Sequence, residues 1–265
     1  MQIKELTAFL EEKAPLQYQE KYDNAGLIVG TDTNEITGVL ICLDSTEAVI
    51  DEAIEKKCNL VIAHHPIIFS GIKKLTGKTY IGRTVIKAIR NDIAIYAMHT
   101  NLDNMLDNGV SEKIAKRLGL RDLGILDPKS EYLAKGIQVG TGIIAKTAEP
   151  MDELSFLHMV KDRMKTKVVR HTGLLNKPIE KVAICGGACS FLLKTAILQK
   201  ADVFITADFK YHEFFDADGK ILIADIGHYE SEQFTIEIIH ELITKNFSTF
   251  AAHFTKVVTN PINYL

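Results

Sequence analysis

Two adjacent histidines end an apolar run in the first quarter of the sequence. They are His64 and His65 of the segment Ala63-His64-His65-Pro66. Neutral imidazole is the commonest nitrogen ligand for divalent transition metals. Pro66 favours an extended conformation at His65 and ends the strand, so the pair can straddle the strand tip and bind one ion together or two neighbouring ions separately. The alternative is one buried histidine that is hydrogen-bonded to backbone and a second histidine on the surface.

A second polar cluster, residues 98–104, follows another apolar run and contains His99 and Asp103. The Asp103 carboxylate can bridge two cations, which is common in dinuclear hydrolytic sites. His99 could be a metal ligand, a hydrogen-bond partner of a ligand or a proton-transfer group. Ordinary turn chemistry would equally account for the Asn and Asp residues of this segment.

A third cluster contains His228 and Glu232, which are four residues apart. If a helix begins there, the two side chains share one face and can chelate one metal ion. The alternative is a helix that begins with Glu beside a chance histidine. Together the clusters supply five nitrogen and oxygen donors and no thiolate, which suits zinc, manganese, iron, cobalt or nickel better than a closed structural zinc site. The candidate ligands are His64, His65, Asp103, His228 and Glu232.

Two further polar segments carry weaker signals. Asp208 and His212 are also four residues apart, and either could move protons in the pocket or hydrogen-bond to a metal ligand, although His212 could equally lie on a solvated helix. The turn Gly186-Gly187 could contact a phosphate through its amides. It lacks the G-x-G-x-x-G spacing of dinucleotide sites and the G-K-[ST] of a P-loop, so we predict no nucleotide cofactor.

Six apolar runs, each followed by a helical pattern, must position these side chains. Such alternation indicates βαβ units and parallel sheets that are covered on both faces. Because the two halves repeat the same order of runs and polar ends, we predict an α/β fold of two similar lobes with mostly parallel sheets flanked by helices. The metal site would lie at the carboxyl ends of the strands, between the lobes. The predicted lobes are residues 1–125 and residues 126–265, of which the latter includes a connector that adds edge strands.

The composition excludes several classes of protein. The 265 residues are 46% hydrophobic and 25% charged with a net charge of −3, which excludes a disordered, collagen-like or coiled-coil chain and gives no global attraction to nucleic acid or anionic lipid. Residues 1–10 are typical of an amphipathic helix rather than a signal peptide, and the apolar run 60–69 is too short to cross a bilayer. The four cysteines lie in or beside apolar runs, which indicates reduced thiols in a cytoplasmic protein with no membrane partner.

The order of these motifs resembles the Nif-three-like family, whose members are often labelled GTP cyclohydrolase I type 2 homologues. The motifs are residues 23–27 (Asp-Asn-Ala-Gly-Leu), 63–66, 99–103, the Gly-Gly turn at 186–187 and 227–232. The resemblance implies a two-lobed α/β fold, a dinuclear metal site on the five candidate ligands and a homohexamer that forms a hollow toroid. The connector is too short for the domain that longer members insert between the lobes. Ser111 and Cys189 stand where many members have Asn and Gly.

The leading functional hypothesis is a dinuclear-metal hydrolase that acts on a nucleotide or a related small molecule. The family label implies hydrolytic opening of the purine ring of GTP, with His99 or His212 moving protons. A metal-dependent phosphoesterase would use the same five ligands, so the sequence does not choose between the two reactions. The rival class is a non-enzymatic metal-binding scaffold or regulator that binds a protein or a nucleic acid.

Overall fold

The computed structural model describes residues 1–265 and contains two β-sheets flanked by helices. The first compact unit contains residues 1–102 and 235–263, and the second contains residues 103–234 and 264–265. The predicted α/β fold class is confirmed. The unit bounds differ from the predicted lobes, because the last long helix and the last strand join the first sheet. None of the helices combines the length and the apolar character that a membrane crossing requires.

The first unit is built on a five-stranded sheet. Its strands are β1 (Gly26–Val29), β2 (Val39–Asp44), β3 (Leu60–His65), β4 (Ala94–Ala97) and β11 (Ala252–Phe254). Its helices are α1 (Ile3–Lys13), α2 (Glu47–Glu55), α3 (Tyr80–Arg90) and α10 (Thr235–Asn246). The strand order is β1-β4-β3-β2-β11, in which β1 alone pairs antiparallel with its neighbour.

Apolar side chains on both faces of the central strands hold this sheet between its helices. Leu40 and Val61 share one core cluster with residues of α2 and α3. Ile41 and Ile62, the next residues along each strand, are also fully buried. Because successive strand residues point to opposite faces, both faces of the sheet are covered, as the continuous apolar runs predict.

The second unit is built on a six-stranded sheet. Its strands are β5 (Arg121–Pro128), β6 (Gly140–Met151), β7 (Arg170–His171), β8 (Ile179–Ala188), β9 (Val203–Ala207) and β10 (Leu222–Asp225). Its helices are α5 (Val110–Leu118), α6 (Ser130–Leu133), α7 (Glu153–Arg163), α8 (Leu193–Leu198) and α9 (His228–Glu232), and the short helix α4 (Thr100–Asp103) is where the chain enters this unit. The strand order is β5-β6-β8-β9-β10-β7.

The second sheet is mixed rather than mostly parallel. Only the pairings of β8 with β9 and of β9 with β10 are parallel. The strands β5, β6 and β7 pair only antiparallel with their neighbours and lie in the predicted connector, about residues 121–180, and β6 lies inside the sheet between β5 and β8. The connector therefore contributes three of the six strands. One of them lies inside the sheet, whereas the sequence indicated edge strands.

Two of the four cysteines are joined. Cys42 and Cys58 are buried free thiols, as predicted. Cys185 and Cys189 form a disulfide across the Gly-Gly turn at the end of β8. The turn brings their Cα atoms to 6.1 Å, within the range that a disulfide spans. The prediction of reduced thiols is wrong for this pair, because sequence spacing did not reveal that the turn folds back.

Candidate metal centre

Three imidazole rings meet at the carboxyl end of the first sheet. His64 and His65 are the last residues of β3, and His99 follows the neighbouring strand β4. The ring centroids of His64 lie 4.8 Å from His65 and 5.3 Å from His99, and those of His65 and His99 are 5.4 Å apart. One ligand nitrogen from each ring lies within 4.8 Å of the other two. Nitrogen atoms this close can bind one cation together or serve two neighbouring ones.

Each of these rings is oriented by an oxygen acceptor at Nδ1. A backbone carbonyl or an ionised carboxylate can only accept, so Nδ1 carries the proton and donates it, and Nε2 becomes the ligand nitrogen. Metal-binding histidines are held in this way by carboxylates or carbonyls in known sites. The pairs are His64 with the Met98 carbonyl at 2.7 Å, His65 with Asp44 Oδ1 at 2.7 Å and His99 with Asp23 Oδ1 at 2.8 Å.

The carboxylate that orients His99 is fully enclosed. The Asp23 side chain has no exposed surface and also accepts hydrogen bonds from the backbone N–H and the hydroxyl of Thr100. Burial by itself raises the pKa of Asp23, but the hydrogen bond and charge of His99 and the bonds from Thr100 lower it to about 2. Asp23 is therefore ionised at neutral pH and accepts the Nδ1 proton of His99 as a carboxylate.

Asp23 is a candidate site residue that pattern analysis of the sequence missed. Residues 23–27 look like an ordinary polar turn when the family resemblance is set aside. The partner of Asp23 lies 76 positions away along the chain. The only sequence signal was the place of this turn in the ordered set of family motifs.

In the second unit, His228 and Glu232 lie on one face of α9, as their spacing predicts. His228 Nε2 is 3.1 Å from Glu232 Oε2, and His228 Nδ1 is 2.7 Å from Asp208 Oδ2. Burial alone would lower the pKa of His228, but its hydrogen bonds to the two carboxylates raise it to about 11. The hydrogen bond from His228 in turn lowers the pKa of Asp208. A proton on His228 Nε2 therefore lies between His228 and Glu232, where the two side chains would bind a cation.

A glycine lets the Glu232 carboxylate approach the end of β8. Gly187 has a φ of +71°, and a Cβ atom on it would lie 2.4 Å from Glu232 Oε1. Its N–H donates to the Ser231 hydroxyl at 2.9 Å, and its carbonyl accepts from the Thr206 hydroxyl at 3.0 Å. The Gly-Gly turn therefore supports α9 through its own backbone, and the Gly187 amide is already used within the protein rather than offered to a phosphate.

The other two predicted site residues have different surroundings. Asp103 is the half-buried last residue of α4, and its role as a ligand stays a prediction. His212 is exposed on the 3-10 helix Tyr211–Ala217, with its ring centroid 5.1 Å from that of Tyr211. Of the predicted pair Asp208 and His212, it is Asp208 that contacts His228. Proton transfer by His212 stays a prediction.

The donor chemistry of both clusters fits divalent transition metals. The ligand atoms are imidazole nitrogens and carboxylate oxygens, and no thiolate lies among them. Such donors suit zinc, manganese, iron, cobalt and nickel. Every histidine in the two clusters has its Nδ1 fixed by an acceptor, which is the outer support that metal ligands require.

Comparison with known proteins identifies this architecture. The model of the family described as Duf34/NIF3 (NGG1p interacting factor 3) matches residues 1–261. The chain belongs to this family. The resemblance that the order of the motifs indicated is therefore confirmed.

Curated relatives of this Duf34/NIF3 chain carry the name GTP cyclohydrolase 1 type 2 homolog. The relative from Clostridium perfringens is 35% identical over 235 residues, which cover 88% of this chain and 87% of the relative. The relative from Clostridium acetobutylicum is 33% identical over 233 residues, with 88% and 85% covered. These names describe homology to an enzyme class and leave the reaction of this chain to be tested.

A solved structure shares the entire fold. The hypothetical protein SA1388 from Staphylococcus aureus superimposes with a TM-score of 0.91 at 30% identity and covers 100% of this chain and 99% of its own. A Bacillus cereus protein related to NIF3 has the same TM-score of 0.91 at 24% identity, with 100% and 99% covered. Both place this chain in the two-sheet α/β fold of the family.

Proposed function

We propose that this chain is a dinuclear-metal-dependent hydrolase of a nucleotide or a related small molecule. When bound, two divalent ions would supply Lewis acidity and activate water for attack. Zinc, manganese, iron, cobalt and nickel are the candidate ions, because all accept imidazole and carboxylate donors. The residues that would hold them are His64, His65, Asp103, His228 and Glu232.

The Asp23–His99 pair is the observation that carries a hydrolytic role rather than a purely structural one. A closed structural metal site needs ligands and their supports, but it does not need a proton carrier beside them. His99 Nδ1 donates to an ionised, enclosed carboxylate, so His99 Nε2 can take a proton and the resulting imidazolium is stabilised by Asp23. His64 and His65 lie directly beside this ring.

The Phe69 ring beside His99, with the Tyr22 ring next to it, favours a flat heterocycle as part of the substrate. The half-exposed Phe69 ring lies 5.8 Å from the His99 ring, and the exposed Tyr22 ring lies 6.0 Å from Phe69. The Asn24 amide donates to the Ile68 carbonyl at 2.7 Å and so ties the two loops together. Exposed aromatic rings stack well on nucleobases. Purine ring opening, which the label GTP cyclohydrolase implies, is the first candidate, and hydrolysis of a nucleotide phosphoester is the second.

The test is turnover by the purified full chain after reconstitution with each of the five metal ions. GTP and a panel of phosphoesters are the substrates, and products are separated by chromatography. Ring opening changes the ultraviolet spectrum of guanine, whereas phosphoester cleavage releases a phosphate or an alcohol, so the two reactions are distinguished. We expect a metal-dependent product that disappears with a chelator and in Glu232→Gln, but not in Glu180→Gln, which changes an exposed carboxylate on β8.

Absence of metal-dependent product from every substrate, in protein that retains its metal, would contradict the hydrolase proposal. It would favour the metal-binding scaffold or regulator. The homohexamer belongs to the same proposal, since the family resemblance implies it, and sedimentation of the purified chain measures it directly. The cytoplasmic location is likewise a proposal, and fractionation of cells that express the chain tests it.

A further inference from the structure

The C-terminal segment of the first unit runs toward the residue that orients His65. Strand β11 pairs in parallel with β2, with Phe254 beside Ile41, and the Thr255 N–H donates to the Ile41 carbonyl at 2.9 Å. Because the two strands are parallel, the chain leaves β11 at the same sheet edge at which β2 ends in Asp44. The segment beyond β11 is therefore directed to the carboxyl end of the sheet, where the histidines lie.

Two carboxylates of the first unit hold this segment in place. The buried Glu52 on α2 accepts from the Thr255 hydroxyl and from the Lys256 N–H at 3.0 Å. Four residues after Thr255, the Thr259 hydroxyl donates to Asp44 Oδ2 at 2.6 Å. The bonded residues are more than 200 positions apart in the sequence, so the segment is a folded part of this unit.

The second of these attachments continues to a candidate metal ligand. Asp44 Oδ2 accepts from Thr259, while Asp44 Oδ1 accepts the Nδ1 proton of His65 at 2.7 Å. A carboxylate whose two oxygens are bonded in different directions cannot rotate without losing a hydrogen bond. The hydroxyl of Thr259 therefore fixes the plane of the Asp44 carboxylate and, through it, the orientation of the His65 ring.

We propose that Thr259 is a positioning residue for the metal centre, and that the C-terminal segment sets the affinity of His65 for its ion through the chain Thr259–Asp44–His65. This inference rests on the proposed metal site and extends it to a residue that contacts no ligand atom. Outer partners of metal-bound histidines change affinity by about 10- to 100-fold when they are removed. Thr259 is one step further from the ion, so we expect about a tenfold effect, at the lower end of that range.

The experiment measures binding of Co²⁺ to the full chain by competition with a chelator and records the visible spectrum of the bound ion. Thr259→Val keeps the shape and removes the donor, while Thr259→Ser keeps the donor. Thr255→Val is the matched control, because it removes a hydroxyl from the same segment but at Glu52. Of the three threonine variants, we expect only Thr259→Val to bind Co²⁺ about tenfold more weakly and to change the spectrum. We expect a larger loss of affinity in Asp44→Asn.

The outcomes separate this inference from the proposed function. If the wild-type chain binds Co²⁺ and Thr259→Val binds it equally well with the same spectrum, the positioning role is overturned and the metal site stands. If Thr255→Val weakens binding as much as Thr259→Val, general attachment of the segment replaces the specific chain of hydrogen bonds. If the wild-type chain binds no Co²⁺, both proposals fail. Thermal unfolding of each variant confirms that the comparison is made on folded protein.

Discussion

The histidines of the first unit and the histidine of the second unit are held in different electrostatic surroundings. In the first unit, His64, His65 and His99 each donate one proton to one acceptor and turn toward one another. In the second unit, a single imidazole lies between the carboxylates of Asp208 and Glu232. In the first arrangement each ring has a single acceptor at Nδ1, whereas the second is an ion pair that holds a proton where a cation would bind. The two clusters should therefore respond differently to mutation and to pH.

The largest expected effect concerns His99. Because it has an ionised carboxylate partner and lies beside two candidate ligands, we expect His99→Ala to lower turnover by about 10²- to 10⁴-fold while the bound metal is retained. Steady-state rates and elemental analysis of the same samples provide the two measurements. His158→Ala, which changes an exposed histidine on α7, is the control. Loss of metal in proportion to loss of turnover would make His99 a ligand instead.

The pH dependence of metal binding should reveal the second cluster. The pKa of His228 is raised to about 11, so a metal ion must displace the proton of this ring. Below that pKa, the affinity for the ion should rise about tenfold per pH unit. Asp208→Asn removes one of the carboxylates that raise this pKa. Affinity is measured between about pH 6 and 9. We expect the affinity of Asp208→Asn to level off at a lower pH than that of the wild-type chain.

Chelator competition at several pH values provides these curves. Asp44→Asn, the corresponding change in the first unit, should weaken binding by about 10- to 100-fold without moving the pH at which the curve levels off. Identical shapes for Asp208→Asn and the wild-type chain would show that His228 does not exchange its proton for the ion.

The acid stability of the metal-free chain should depend on the first cluster. The pKa of Asp23 is lowered from 3.8 to about 2, so its ionised form stabilises the fold above about pH 4 and this contribution is lost as the pH falls toward 2. The difference corresponds to about 2 kcal/mol in the free energy of unfolding. Urea unfolding between pH 2 and pH 7 should show a steeper loss for the wild-type chain than for Asp23→Asn. Equal dependence of the unfolding free energy on pH in both proteins would show that Asp23 does not contribute to acid stability. Asp216→Asn, which changes an exposed carboxylate, is the control.

The smallest expected effect concerns the Phe69 ring beside His99. Stacking of a base on an aromatic ring contributes about 1–3 kcal/mol, so Phe69→Leu should raise KM for a nucleotide about fivefold or more with kcat little changed. Phe69→Tyr keeps an aromatic ring and should behave like the wild-type chain. An unchanged KM in Phe69→Leu would leave the nucleotide class without support from this loop.

The sequence predicts the elements on which four of the candidate ligands lie, because local patterns determine those elements. The apolar run before His64 and His65 makes them the end of a buried strand, and Pro66 stops that strand. The spacing of His228 and Glu232 predicts one helical face, which is confirmed even though α9 is only five residues long. Periodicity and one proline or glycine are sufficient signals for such features.

Of the residues that orient these histidines, Asp208 was singled out by its position after a strand, whereas Asp23 and Asp44 could not be predicted in the same way. Asp44 lies 21 positions from the histidine to which it is hydrogen-bonded, Asp208 lies 20 positions away and Asp23 lies 76 positions away. Their chemical type is common in turns and at strand ends, so only tertiary contacts distinguish them. The unit bounds were missed for a similar reason. The chain breaks after Glu232, and α10 packs against β2 and β3 of the first sheet, which no local pattern indicates.

The metal content of the purified chain tests the central claim most directly. Elemental analysis should find two divalent ions per chain, and His65→Ala in the first cluster and Glu232→Ala in the second should each lower that number while circular dichroism shows a folded protein. Wild-type metal content in both folded variants, or a wild-type chain that takes up none of the five ions, would contradict the account.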